Sequence, residues 1–215
     1  MTVTVSIDQI AMLAPNMCAP YRAAFVQGQA VLDGYGISAT PLRVAHFVAQ
    51  TLHETGAYTL LVENLDYSAA RLVVVWPGRF LPKGPLDPDA YAHRPQLLAD
   101  VVYGSRMGNI DPGDGYQYRG RGLLQLTGRA SYAGVTMQVR GRRYDAPDFV
   151  RDPDAVTGAD WCLAVAAAVW ADKGCNALAD EDDVGALTLR INNGLTGLAE
   201  RLEWTRRTRL VWRPR

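Results

Sequence analysis

Histidine and cysteine are scarce in this chain, with 3 of each among 215 residues, and that scarcity closes several routes to chemistry. Cys18, Cys162 and Cys175 are odd in number and stand in neither a metal-binding nor a dithiol spacing, so they read as reduced thiols and not as a disulfide scaffold. A zinc amidase or peptidase of the zincin type would need a second histidine at position 57 after His53-Glu54, and Ala stands there. Neither a metal nor a cofactor is expected. No stretch approaches the roughly 18 consecutive apolar residues of a membrane span. Neither sign of charge is in excess: 22 Lys and Arg balance 22 Asp and Glu, which leaves no overall field to hold nucleic acid. No basic residue precedes Arg22 and no apolar core follows the start, so the form of a secretory signal is lacking, and a cytoplasmic monomer is expected.

What is present suffices for one core. With 48% hydrophobic and 20% charged residues, no internal repeat and no linker, residues 1–215 are expected to form a single domain. Ser6 with Gln9 has the form of a capping box, and Ile7, Ile10 and Leu13 follow it at helical spacing. A second helix is predicted over residues 20–32, stopped by Gly34 and Gly36. Thr40 caps a third, with Pro41 at its first position and Leu42, Ala45, Ala49 and Leu52 on its buried face. Residues 58–66 read as an extended or hairpin segment, and Ser68 caps a helix through Val75 that Pro77 and Gly78 end. Residues 82–89 and 104–115 read as loops. An alanine-rich central helix is predicted over 158–172, and two more over 182–191 and 195–210 flank the turn Asn192-Asn193-Gly194. The expected architecture is mainly α, with a small β-hairpin beside a cleft.

Hydrolysis of a glycosidic bond needs one carboxylic acid to protonate the leaving oxygen and a second carboxylate, as base or nucleophile, across the sugar. Glu54 and Glu63 are candidates. Glu54 ends the third helix, where unpaired carbonyls disfavour a negative charge and suit a group that must hold its proton. Glu63 follows nine residues later, past a turn at Gly56, so a chain reversal can bring it opposite Glu54.

The run Ala45-His46-Phe47-Val48-Ala49-Gln50-Thr51-Leu52-His53-Glu54-Thr55-Gly56, followed by Glu63-Asn64-Leu65-Asp66-Tyr67-Ser68-Ala69, resembles glycoside hydrolase family 19, the chitinase and phage endolysin family. Tyr118-Arg119-Gly120-Arg121-Gly122-Leu123-Leu124-Gln125-Leu126-Thr127-Gly128 and Ile191-Asn192-Asn193-Gly194-Leu195 are similar to two further blocks of that family, in the right order. The resemblance implies a lysozyme-like fold, with Glu54 as general acid and Glu63 as general base. It also implies that Thr127 holds the attacking water, that Gln125 and Asn192 bind sugar, and that Arg201 pairs with the active-site carboxylates. Only eight residues separate the two glutamates, as in the compact phage members, and Ala130 and Ser131 stand where the chitinases carry an aromatic residue and an Asn.

The function so implied is an endolysin that cuts the β-1,4 bond between N-acetylmuramic acid and N-acetylglucosamine of peptidoglycan with inversion. It would stay in the cytoplasm until a holin-type membrane partner releases it to the cell wall. A chitinase and a non-catalytic cell-wall-binding module are the alternatives. His53 stands where it orients the acid or merely packs at a helix end. Tyr67, Trp76 and Tyr103 stack on sugar faces or belong to the core. The basic stretch Arg206, Arg207, Arg209, Arg213 and Arg215 reads as a solvated helix face or a contact for anionic envelope polymers.

Overall fold

Apolar residues at helical spacing, punctuated by side-chain caps, dominate the architecture. The computed structural model describes residues 2–213. Twelve α-helices appear among them: α1 Ile7–Leu13, α2 Ala19–Val26, α3 Gln29–Gly34, α4 Pro41–Glu54, α5 Ala69–Val75, α6 Pro95–Tyr103, α7 Asp114–Gln117, α8 Arg129–Arg140, α9 Cys162–Asp172, α10 Cys175–Asp180, α11 Val184–Asn192 and α12 Leu198–Val211. Short 3-10 turns occupy Ile37–Ala39, Pro88–Ala90 and Pro153–Thr157. The capping box of Ser6 and Gln9 is formed, and the Thr40 and Ser68 side chains accept from Arg43 N and Arg71 N.

The expected helix over 20–32 is two helices. The break falls at Gly28, where a Cβ would lie 2.4 Å from Leu163 Cδ2 on α9 and 2.9 Å from the Ala24 carbonyl oxygen. Only a residue without a side chain lets the chain cross α9 so closely. The predicted central helix starts at Cys162, because residues 158–161 form a turn, and α12 starts at Leu198.

The predicted β-hairpin is absent among the described residues. Residues 55–60 wind into tight turns instead: Thr55 Oγ1 accepts from Tyr58 N, and Ala57 and Tyr58 take φ of 58° and 62°. Tyr58 is buried against the α4 residue Thr51 at 2.8 Å, so the segment turns into the core before it can pair with itself. What remains extended pairs elsewhere, through an isolated antiparallel bridge of Val62 with Arg121.

Helix α9 is the hub. Leu163, Ala166, Ala167 and Trp170 join a large core with Ile10, Tyr21, Phe25, Phe47 and Trp212, while Ala164, Val165 and Ala168 face a second core with Tyr132 and Phe149 on the α8 side. A helix apolar all round is a buried helix. A third cluster, Leu65, Leu72, Phe80 and Leu98, ties α5 to α6. The broadest helix-to-helix contact joins α4 to α12, with buried polar groups on both: His46 and Gln50 on α4, and Arg201, Thr205 and Thr208 on α12. No helix among the described residues is long and apolar enough to cross a membrane.

Candidate active site

Both glutamates line one cleft of about 770 Å³, together with Tyr103, Gln125, Thr127, Asn192 and a face of α8. Glu54 is the last residue of α4, and its side chain is 13% exposed. Arg201 of α12, only 2% exposed, donates from Nη2 to Glu54 Oε1 and from Nη1 to Gln50 Oε1, one turn earlier on α4. A full positive charge therefore stands against the carboxyl, opposing the field of the helix end that alone would disfavour the anion.

Glu63 is held by the backbone and by a phenol. Its N–H donates to the Gly120 carbonyl at 2.9 Å, and its Oε1 accepts from Gly120 N at 2.6 Å. Its Oε2 accepts from the Tyr103 hydroxyl at 2.8 Å. Burial, reinforced by the Glu63 charge, pushes the Tyr103 phenol far above its ordinary value, so it remains a donor.

The segment facing Glu63 is a tight loop. Arg121 and Leu126 exchange backbone hydrogen bonds at 3.1 and 2.8 Å, closed through φ of 74° at Gly122 and 49° at Gln125. Arg121 is buried beneath it, donating to the Gln117 carbonyl at 2.7 Å and to Asp154 at 2.9 Å. The loop aims Gln125 and Thr127 into the cleft. Gln125 Nε2 reaches the Glu54 carbonyl at 3.4 Å, and Thr127 Oγ1 donates to the Gln125 carbonyl at 2.9 Å. A Cβ on Gly120 would lie 2.2 Å from Gln125 Oε1 and 3.3 Å from both Glu63 Cδ and Thr127 Oγ1. Three functional groups thus converge on a point that only glycine leaves free.

No family model matches the chain. It is 39% identical over 162 residues to a glycosyl hydrolase family 19 domain-containing protein of Haemophilus influenzae, covering 74% of this chain and 75% of that protein. The chain belongs to glycoside hydrolase family 19. Solved structures share its fold: a bacterial family 19 chitinase (TM-score 0.57, 21% identity, 98% of this chain and 96% of that one), chitinase C from Streptomyces griseus (0.60, 18%, 97% and 92%) and a class IV family 19 chitinase from Zea mays (0.58, 18%, 97% and 91%). The protein is a glycoside hydrolase family 19 member whose mainly helical fold is shared with these chitinases.

In this family 19 hydrolase the remaining sequence-predicted residues divide. Asn192 ends α11 on the cleft wall, beside Asn193 at φ 53°, and its Nδ2 donates to the Thr196 carbonyl at 3.4 Å. His53 is outside the cleft wall. Its ring packs where a Cβ on Gly197 would lie 2.6 Å from Nε2, and Nδ1 stands 3.6 Å from Glu200. Burial first, and then Arg201, pushes His53 below the usual histidine range, against the pull of Glu54 and Glu200. Tyr67 is also off the cleft, packed edge-on against Trp76 with ring centres 5.3 Å apart. The basic stretch is largely engaged internally: Arg206 with Glu203, Arg209 with Asp182, and Arg207 over the Trp204 ring. Arg215 lies outside the described residues. Sequence reasoning missed Gln50 as the second partner of Arg201 and Tyr103 as the partner of Glu63. Gln50 stands four residues before Glu54, a spacing that could have revealed it.

Proposed function

We propose that this enzyme hydrolyses the β-1,4 bond between N-acetylmuramic acid and N-acetylglucosamine in peptidoglycan, inverting the anomeric carbon, as an endolysin does. The observation that carries the reading is the convergence of Thr127 and Gln125 on Glu63 within the cleft that Glu54 also lines. Glu54 gives its proton to the glycosidic oxygen as the bond to C1 breaks, and Arg201 then compensates the carboxylate left behind. A water beside Glu63 and Thr127 attacks C1 from the other face and passes a proton to Glu63. Both Glu63 oxygens already accept hydrogen bonds, an arrangement that suits a base on water better than a nucleophile that must approach carbon. Ala130, Ser131 and Gly134 form one flank of the cleft, and a Cβ on Gly134 would meet nothing within 4 Å, which leaves room there for a sugar carrying a lactyl ether at O3.

Proton NMR of the earliest products and mass spectrometry of fragments from peptidoglycan and from chitin test the two halves separately. An α anomer formed first supports inversion, and an initial β anomer or a glycosyl-enzyme on Glu63 sinks it. Muropeptide release with little chitin cleavage supports the substrate. The reverse preference makes the enzyme a chitinase.

A further inference from the structure

We propose that Gln50 is a positioning residue for the general acid: by holding one arm of Arg201, it limits the guanidinium to a single hydrogen bond with Glu54. The inference rests on the reading of Glu54 as the acid. Gln50 and Glu54 are four residues apart on α4 and so share a face, and Arg201 of α12 spans them. A guanidinium has only donors, so the Gln50 amide must turn its oxygen to Arg201. Its Nε2 is then left without a partner among the described residues, as is Arg201 Nε, although both residues are buried. Unpaired buried donors are uncommon and call for an explanation. An apolar side chain at position 50 would remove the orphaned amide, but also the oxygen to which Arg201 donates.

The chemistry supplies the reason. A planar guanidinium beside a carboxylate settles into two parallel hydrogen bonds when nothing else competes. That geometry favours the anion, whereas a general acid must enter the reaction protonated. Gln50 occupies Nη1, the arm that with Nη2 would complete an end-on fork, and in the pose so fixed Nε makes no bond to Glu54. The charged and titratable groups around this cluster are His53 and His46 on α4, Glu200 on α12, and Asp182 and Arg209, which join His46 at the other end of the α4–α12 contact. Across the cleft stand Glu63 and Tyr103, with Asp172 and Lys173 at its rim. Arg201 is the cation in direct contact with Glu54.

The test is the pH profile of kcat/KM for Gln50→Met and Gln50→Glu, measured on soluble muropeptide chains or N-acetylglucosamine oligomers, whichever the wild type cuts. The alkaline limb reports loss of the acid's proton. Gln50→Met frees Arg201 to fork onto Glu54 and should move that limb down by about one pH unit, while Gln50→Glu adds a competing anion and should move it up by about one. A limb left in place in either folded variant overturns the proposal, because a merely structural glutamine changes the melting temperature or kcat without moving it. If Gln50→Met does not fold, Gln50→Glu decides alone, an upward shift supporting the role and an unmoved or lowered limb ending it. Glu54→Gln runs beside them: retained activity there would sink the assignment of the acid, whereas an inactive Glu54→Gln with unmoved Gln50 limbs sinks only the positioning role.

Discussion

The Tyr103 hydroxyl donates to Glu63 Oε2 at 2.8 Å, joining the end of α6 to the extended segment 40 residues earlier. With Gly120 N on the other oxygen, this bond fixes the plane of the carboxylate. Hydrogen bonds to charged groups contribute about 1.5–3 kcal/mol. If that is realised at the transition state, Tyr103→Phe lowers kcat about 10- to 100-fold. Because burial keeps the phenol protonated far above its ordinary value, the variant should keep the alkaline shape of the wild-type profile. An alkaline limb that disappears in Tyr103→Phe would mean the phenol itself titrates in the working range.

The contact of Glu54 with Arg201 separates catalytic loss from structural loss. Glu54→Gln should cost about 100- to 10,000-fold in turnover, since the amide has no proton to give. Its oxygen still accepts from Arg201, so the variant loses the counter-charge but keeps the hydrogen bond, and its melting temperature should fall less than that of Glu54→Ala. Glu54→Ala should be as inactive and also destabilised by roughly 3 kcal/mol, because the buried guanidinium loses its hydrogen-bond acceptor as well as its counter-ion. Equal melting temperatures for the two variants would show that the hydrogen bond from Arg201 to position 54 contributes little to folding. Glu63→Gln should lose activity comparably, and Thr127→Ala only about tenfold, as a positioning group supplies part of the barrier reduction.

Much of the helical frame was legible because its determinants are local. Ser6, Thr40 with Pro41, and Ser68 are caps read within four residues, and the third predicted helix has the bounds of α4. Helix α8 went unread because Gly128 offers no side-chain cap, although Tyr132, Val135 and Val139 already stood at helical spacing. The hairpin failed for a reason no local window contains: Tyr58 finds Thr51, and Val62 finds Arg121. In the site, Glu54, Glu63, Gln125, Thr127 and Asn192, singled out from the sequence, line one cleft. Tyr103 and Gln50 acquired roles only through partners 40 and 151 residues away. His53 and Tyr67 looked functional by adjacency in sequence, yet each is packed on structure outside the cleft.

Gly120 offers a change that should spare the fold and damage the site. It is not among the glycines with positive φ, so alanine meets no backbone strain there. The added Cβ falls 2.2 Å from Gln125 Oε1, the end of a flexible side chain, and presses on Glu63 and Thr127 at 3.3 Å. Gly120→Ala should therefore melt close to wild type, while turnover falls about 10- to 100-fold through displacement of Gln125, Glu63 and Thr127. Unchanged kcat would show that Gln125 moves aside without consequence and that its amide does not position substrate.

His46 is buried in the α4–α12 contact, its Nε2 2.8 Å from Asp182 Oδ1. Burial lowers its affinity for a proton, more than the pull of Asp182 and Asp183 raises it, and Arg209 adds to the lowering. The folded value thus lies below the ordinary 6.5 of the unfolded chain. A histidine depressed in this way binds fewer protons folded than unfolded, so its contribution to stability is fully present above pH 6.5 and is lost as pH falls from there toward the folded value. His53 is shifted in the same direction and adds to the slope. The melting temperature should decline between pH 7.5 and pH 5, well above the range where Asp33, Asp145 and Asp180 begin to protonate. His46→Gln keeps a donor for Asp182 and cannot titrate, so its decline over the same interval should be shallower, with the His53 share remaining. Parallel curves for wild type and His46→Gln would mean that burial and Asp182 offset one another, so that His46 binds its proton equally folded and unfolded, whereas a steeper decline in the variant would mean that Asp182 holds His46 charged in the folded protein.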